Sequence, residues 1–227
     1  MAADRAAVFI EMKLAIFDLD NTLLSGDSDY EWGEFLARKG IVDKETYSRT
    51  NAVHMADYRS GKLNINDFLA FQLEPLKDNP RYFMEEIRRH FCKEIIKPMI
   101  SGNARALVRR HRERGHVLMI ITATNRFITA PIAVELGIEQ LIATEVEEVD
   151  GEFTGRTFGT PSFGEGKIHR LHNWLAERNE KLSDSWFYSD SHNDLPLLQL
   201  VNHPVALNPD DILRKEAQLR KWKIIDW

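Results

Sequence analysis

The sequence predicts an α/β fold, an open parallel sheet with a small all-helical unit inserted after its first strand. Three observations carry this. Apolar runs at residues 14–17, 116–121 and 185–190 have the continuous hydrophobicity of strands buried on both faces, and each runs into polar side chains. Amphipathic stretches, two of them closed by glycine, separate the later runs, the alternation expected of β–α units. Residues 43–97 instead keep a helical spacing of apolar side chains and show no strand-like alternation. At 227 residues the chain is long enough for one sizeable core and a smaller second unit.

The first strand delivers Asp18 and Asp20 to its carboxyl end, where open α/β sheets bind their ligands. Side chains i and i+2 on a strand share a face, so two carboxylates this close need a cation or a shared proton. An Asp-rich turn after a strand is also ordinary, and the rest of the chain decides between the two. Ser25-Gly26-Asp27-Ser28-Asp29 is a turn with side chains that cap the next helix, 30–39, whose Trp32, Phe35 and Leu36 share a face before Gly40 ends it. Breaks at 60–61, 75 and 79–80 divide the helical block, and Pro98 with Ser101-Gly102 marks the return to the sheet.

A helix over 104–114, stopped by Gly115, then leads to the strand at 116–121, which ends on Thr122-Ala123-Thr124-Asn125. Next come a helix over 126–136 closed by Gly137, a short strand at 141–144, and a hairpin within 146–156 turning at Asp150-Gly151. Gly164-Glu165-Gly166-Lys167 opens a helix over 168–178. The strand at 185–190 runs into Asp190-Ser191-His192-Asn193-Asp194, and a short helix and strand over 195–207 complete the alternation. The resulting division is an extension at 1–12, a sheet core at 13–25 and 99–227, and a helical unit at 26–98.

Composition narrows the function. A net charge of -5 speaks against a nucleic-acid surface, because phosphate backbones are held by clustered Lys and Arg. The local basic run Arg109-Arg110-His111-Arg112 reads as a solvated helix face. One cysteine, Cys92, excludes an internal disulfide and a cysteine-cluster metal site, and fits a reducing, cytoplasmic home. In its helical segment it reads as a buried thiol rather than a nucleophile. No secretory signal is recognisable, and no window approaches the roughly 18 apolar residues of a membrane span. Nothing in the pattern specifies an oligomeric state.

Polar groups at three strand ends bring carboxylates, a hydroxyl and an ammonium to one edge of the sheet. A hard divalent cation with oxygen ligands, Mg²⁺, reconciles Asp18, Asp20, Asp190 and Asp194 in one site. Lys167 and a hydroxyl beside it suit a phosphoryl group. Asp18 is then placed to attack phosphorus and Asp20 to protonate the leaving group, the covalent aspartyl-phosphate route.

Asp18-Leu19-Asp20-Asn21-Thr22, Thr122, Lys167 and Asp190-Ser191-His192-Asn193-Asp194 resemble, in that order, the four motifs of the haloacid dehalogenase-like phosphatases. The helical block resembles the cap of the subgroup that includes phosphoserine phosphatase. The resemblance spans residues 13–207 and implies a Rossmann-like core. It implies Asp18 as nucleophile and metal ligand, and Asp20 as general acid and base whose backbone carbonyl also meets Mg²⁺. Thr122 with the Ala123 amide resembles the phosphate-binding element, and Lys167 the counter-charge to phosphate and nucleophile. Asp190 resembles the direct metal ligand, with Asn193 and Asp194 in support. Dehalogenating members lack the second acid at Asp20, so phosphate hydrolysis is favoured.

In phosphoserine phosphatases a Glu shortly after the first motif faces the substrate amine. Asp27 stands there with Asp29 near it, and Asp27 is equally a preferred helix N-cap. Gly61-Lys62-Leu63-Asn64-Ile65-Asn66 resembles a cap stretch of some phosphoserine phosphatases, and continuing that alignment puts Gln72 where the family grips the substrate carboxylate with Arg. Gln offers no charge-assisted fork. The expected substrate is therefore a small phosphorylated metabolite that keeps an amine and lacks serine's carboxylate, L-histidinol phosphate first. Arg59 or Arg81, supplied from another place, would restore phosphoserine, and a phosphotransferase would use the same Asp18 chemistry. His192 reads as a loop residue near the cleft, and His169 and His172 as surface side chains. Helical spacing assigns Trp32, Phe35, Phe68 and Phe71 to core packing before pocket lining.

Overall fold

The computed structural model describes residues 12–227; the expected extension lies, but for Met12, outside them. β1 (Lys13–Phe17) is followed by α1 (Ser28–Arg38), α2 (Lys44–Arg59), α3 (Ile65–Asp78) and α4 (Arg81–Phe91), then a π-helical turn (Cys92–Ile96) and the single turn α5 (Lys97–Met99). α6 (Gly102–Glu113), β2 (Val117–Asn125), α7 (Arg126–Leu136), β3 (Gln140–Val149), β4 (Glu152–Phe158), α8 (Glu165–Glu177) and β5 (Ser183–Ser189) come next. A 3₁₀ turn (His192–Asp194), α9 (Leu195–Leu200), β6 (His203–Leu207), α10 (Asp211–Arg220) and β7 (Lys223–Ile225) close the described chain.

Seven strands form one sheet in the order β4-β3-β2-β1-β5-β6-β7, parallel except where β4 pairs with β3. β1 sits between β2 and β5, so connections depart to either side of it and leave a crevice at its carboxyl end. Phe17 lies opposite Ile120 on one side and Tyr188 on the other. Asp18 and Asp190, just past the ends of β1 and β5, therefore stand at nearly the level of Thr122 on β2.

β1 is buried on both faces by simple alternation. Ala15 and Phe17 join the layer that holds Trp32, Phe35, Phe91 and Phe127, whereas Leu14 and Ile16 join Leu171, Leu175 and Phe187. The inserted helices share the first of these layers. Trp32 of α1 meets Phe91 of α4 edge-on at 5.2 Å and Phe127 of α7 at 5.9 Å, and Phe127 meets Phe153 of β4 at 5.2 Å. On the other flank α3 rests on β4, where Gly155 (φ 76) leaves no room for a side chain: an added Cβ would stand 2.9 Å from Lys77. Arg81 then pairs with Glu148 and covers the Phe153 ring at 4.9 Å. Ser25 donates its amide to the Met99 carbonyl at 2.9 Å, tying together the two crossings into the helical block.

Four local expectations change. Pro75 does not break its helix: it lies in the last turn of α3, where the buried stripe Leu69, Gln72, Leu73 and Leu76 carries the helix past the missing N–H. The strand expected at 141–144 is one longer β3, because it changes partner midway, parallel to β2 as far as Thr144 and antiparallel to β4 from Glu145. Asp150 (φ 52) and Gly151 (φ 83) supply the two left-handed residues that such a hairpin turn requires. The sheet continues beyond residue 207 through α10 and β7. Within the basic run, His111 is buried, its Nε2 2.8 Å from the Tyr188 hydroxyl and its Nδ1 2.8 Å from Nδ1 of His116. Burial, with His116 beside it, lowers its imidazole to about 4, so it packs as a neutral ring. Cys92 is half-buried in the π-helical turn, and burial raises its thiol, which argues against a nucleophile.

Candidate active site

Asp18 leaves β1 with its amide donated to the Tyr188 carbonyl at 2.9 Å and its side chain in the crevice, 5% exposed. Lys167 Nζ lies 2.7 Å from Asp18 Oδ1 and 2.7 Å from Asp194 Oδ1. The Ser189 hydroxyl donates to Asp194 Oδ2 at 2.7 Å, so the lysine is held between two positioned carboxylates. Lys167 reaches this point because α8 starts against its own loop. A Cβ at Gly166 would stand 2.1 Å from the Pro161 carbonyl oxygen, a contact only glycine permits. Burial alone would lower the Lys167 ammonium, but Asp18 and Asp194 outweigh it and hold it above its ordinary value.

Asp20 is fixed by two groups to which the sequence assigned no role. The Ser28 amide, at the start of α1, donates to Oδ1 at 2.6 Å, and the Thr124 hydroxyl donates to Oδ2 at 2.8 Å. Burial raises the Asp20 pKa in spite of these bonds. Thr124 carried a weak signal, since it stands two residues past Thr122 on one strand and so shares its side. Thr122 is 1% exposed, and Ala123 lines the cavity beside it. Asp190 faces Thr22, whose hydroxyl lies 3.3 Å from Oδ1.

Asp27 is the N-cap of α1, Oδ1 accepting the Tyr30 amide at 2.8 Å, and it also lines the cavity. Burial and the Asp20 charge raise it to about 7. Asp29 also lines the cavity, pushed well above the carboxylate range by burial and then by Asp27 and Asp20. Gln72 is a correction. It does not line the cavity; it is 1% exposed behind Asn51, donating to Asn51 Oδ1 at 3.2 Å while Asn51 donates to the Tyr30 carbonyl at 3.0 Å.

Neither expected arginine lines the enclosed cavity. Arg59 faces an outer cavity of about 840 Å³ with Asp190 and His192, and Arg81 lies at the α4–β4 contact. Phe68 is a second correction, since it lines the cavity, whereas Phe71 stacks on Tyr47 at 4.3 Å. His192 is hydrogen-bonded to Asp210 at 2.8 Å, and His169 and His172 are exposed. Asn193 reaches across to α2, donating to the Tyr58 carbonyl at 3.4 Å.

Asp18, Asp20, Asp27, Asp29 and Asp194 all line the enclosed cavity, with Lys167 as its single lysine or arginine. The open space within it is small, about 40 Å³ against about 840 Å³ for the outer cavity. Met55 and Tyr58 of α2 line both cavities and separate the enclosed one from the outer one. Buried negative charge in this excess calls for a cation or for protons on some of the carboxylates. Among the described residues no three His, Cys, Asp or Glu side chains form a metal cage. The donor set expected here needs only two, Asp18 and Asp190, with the Asp20 backbone carbonyl, and hard oxygen donors of this kind suit Mg²⁺ completed by water.

The raised carboxylates fix the sign of a stability change. Asp18 is raised to about 7 by burial, with Asp194 and Asp20 adding to it against Lys167, and Asp27 is raised to about 7 as well, so the folded chain binds more protons than the unfolded one between about pH 4 and pH 7. Stability is then present below that window and lost as pH rises through it. His111 acts in the opposite direction, but below about pH 6.5. In chelator the melting temperature should therefore fall by about 5 °C or more between pH 6 and pH 8. Added Mg²⁺ should restore it at pH 8 and do little at pH 6. A rising or flat melting temperature in chelator would contradict the charge excess.

The model of the haloacid dehalogenase-like hydrolase family matches residues 15–199. A histidinol-phosphatase of Neisseria meningitidis serogroup C is 46% identical over 218 residues, covering 94% of this chain and 98% of that protein. A phosphoserine phosphatase of Mycobacterium tuberculosis is 35% identical, over 94% of this chain and 70% of that protein. A solved structure of a protein of unknown function from Bordetella pertussis superposes with a TM-score of 0.90 at 44% identity, covering 95% and 99% of the two chains. A substrate-bound phosphoserine phosphatase shares the fold, with a TM-score of 0.71 at 21% identity over 95% and 93% of the two chains. With Asp18, Asp20, Thr122 and Lys167 lining one cavity and Asp190 the adjoining one, and with these likenesses, the chain belongs to the haloacid dehalogenase-like hydrolase family, among its phosphatases.

Proposed function

We propose that the chain is a Mg²⁺-dependent phosphomonoester hydrolase that works through an aspartyl-phosphate on a small, amine-bearing metabolite, L-histidinol phosphate first. The observation that carries the substrate reading is the cavity lining, which holds Asp27 and Asp29 and no arginine, Arg59 acting on Asp27 only from the adjoining outer cavity. An amine satisfies those two carboxylates, whereas serine's carboxylate would meet them as a third negative charge. The identity to a histidinol-phosphatase supports the same choice.

Asp18 attacks phosphorus, forming the Asp18–phosphate bond as the bond to the alkoxide leaving group breaks. Asp20, held at 2.6 Å by Ser28 and 2.8 Å by Thr124, gives that alkoxide its proton, then takes one from the water that splits the phosphoaspartate. Lys167 and the Thr122–Ala123 segment hold phosphoryl oxygens. Mg²⁺ supplies Lewis-acid charge neutralisation at the phosphoryl group. The inserted helices, residues 26–98, serve as a cap, and α2 shifts to admit substrate where the open space is only about 40 Å³. A single cysteine fits the proposed cytoplasmic setting.

A screen of small phosphomonoesters, with Mg²⁺ and with chelator, tests this reading. L-Histidinol phosphate should lead phosphoserine in kcat/KM, and chelator should abolish turnover. Asp27→Asn should raise KM for the amine-bearing substrate by about 10-fold or more, the worth of a charged hydrogen bond. An unchanged KM in that variant would remove Asp27 from amine binding, and a wide phosphoserine preference would overturn the substrate.

A further inference from the structure

We infer that the inner face of α2 and the start of α3 form a subsite for a flat, nitrogen-bearing aromatic ring on the leaving group. The inference rests on the amine-bearing substrate proposed above and names what lies beyond the amine. Asn51, His54, Met55 and Tyr58 recur at helical spacing along α2 and line the cavity, with Phe68 of α3 beside them. His54 stands edge-on to Phe68 at 5.6 Å, and Tyr58 tilts against Phe163 at 6.2 Å. This wall shares the cavity with Asp27 and Asp29, so one ligand meets anionic and aromatic surfaces together.

A short aliphatic amine satisfies the carboxylates and leaves the cavity side of this aromatic wall uncovered. A planar ring fills them, gains offset or edge contacts, and gains more when it carries positive charge. The polar member of the wall specifies the ring further. Asn51 is committed, donating to the Tyr30 carbonyl and accepting from Gln72. His54 is partly exposed and, among the described residues, makes no hydrogen bond within the protein, so its ring nitrogens can exchange water for a ligand. A ring nitrogen answers that pair, and a phenyl ring does not.

The test compares the Mg²⁺-loaded enzyme on L-histidinol phosphate, on L-phenylalaninol phosphate, which swaps imidazole for phenyl, and on O-phosphoethanolamine, which has the amine and no ring. Phe68→Leu should cut the kcat/KM ratio of histidinol phosphate to phosphoethanolamine by about 10-fold, carried by KM rather than kcat. His54→Phe keeps a ring in the wall and removes its nitrogens. It should shrink the preference for histidinol phosphate over phenylalaninol phosphate by about 10-fold. Circular dichroism establishes that each variant is folded, and the two substitutions act on different ratios, so one suffices if the other misfolds. Amine phosphates preferred over phosphoserine with both ratios unmoved would overturn the ring subsite alone. Phosphoserine outrunning every amine phosphate would overturn the amine reading and the subsite with it.

Discussion

Asp18→Asn removes turnover: kcat is expected to fall by on the order of 10⁴-fold or more, as it does when a covalent nucleophile is lost. The amide keeps the shape of the carboxylate and cannot form the phosphoaspartate. Folding should survive, and at pH 8 the variant should melt no lower than the parent in chelator. The reason is the environment of Asp18, whose carboxyl is raised to about 7 by burial, Asp194 and Asp20, against the pull of Lys167. A neutral group relieves that cost, and Lys167 retains Asp194 at 2.7 Å. Acid quenching during turnover should trap an acyl phosphate in the parent and none in the variant. Full activity in Asp18→Asn would refute the covalent route.

Lys167→Met has the opposite balance of effects, because it removes the one lysine from a buried group of carboxylates. Breaking such a pair costs about 3–5 kcal/mol, since Asp18 and Asp194 are left charged and unpaired. The Asp18 pKa then rises further, so the folded chain takes up a proton and part of the loss returns as pH falls. Urea melts in chelator should show the full deficit at pH 8 and a smaller one at pH 5. Turnover should be lost as well, because phosphoryl charge would have no ammonium to meet. Equal stability of parent and variant at pH 8 would mean that the Lys167 contacts carry no net energy.

The legible part of the molecule is the part written in local pattern. Strand β1 could be read because a short continuous apolar run marks a strand buried on both faces, and Asp18 and Asp20 followed from it. Lys167 was legible through the glycines that open α8, and the hairpin through Asp150-Gly151. What stayed hidden depends on direction or distance. Thr124 meets Asp20 from 104 positions away, so its role exists only once β2 lies beside β1. Gln72 was matched along the chain to a residue that faces substrate, yet its side chain points at Asn51. Phe68 shows the limit of periodicity: a helical apolar face looks the same whether it meets a packed layer or a cavity wall. α10 and β7 escaped because the helix buries only Leu213 and Ala217 and the strand is three residues long.

The aromatic layer shared by the inserted helices and the sheet bears on how specificity in such a scaffold is exchanged. Trp32 and Phe91 belong to the insertion, while Phe127 and Phe153, which they abut directly or through one another, belong to the segment after it. Replacing residues 26–98 wholesale with the insertion of a relative would cut through this cluster and leave both halves with mismatched surfaces. The transplantable unit is smaller: α2 and the first turn of α3, which carry His54, Tyr58 and Phe68 and contribute none of these four rings. Grafting at that scale changes the pocket and leaves the foundation in place.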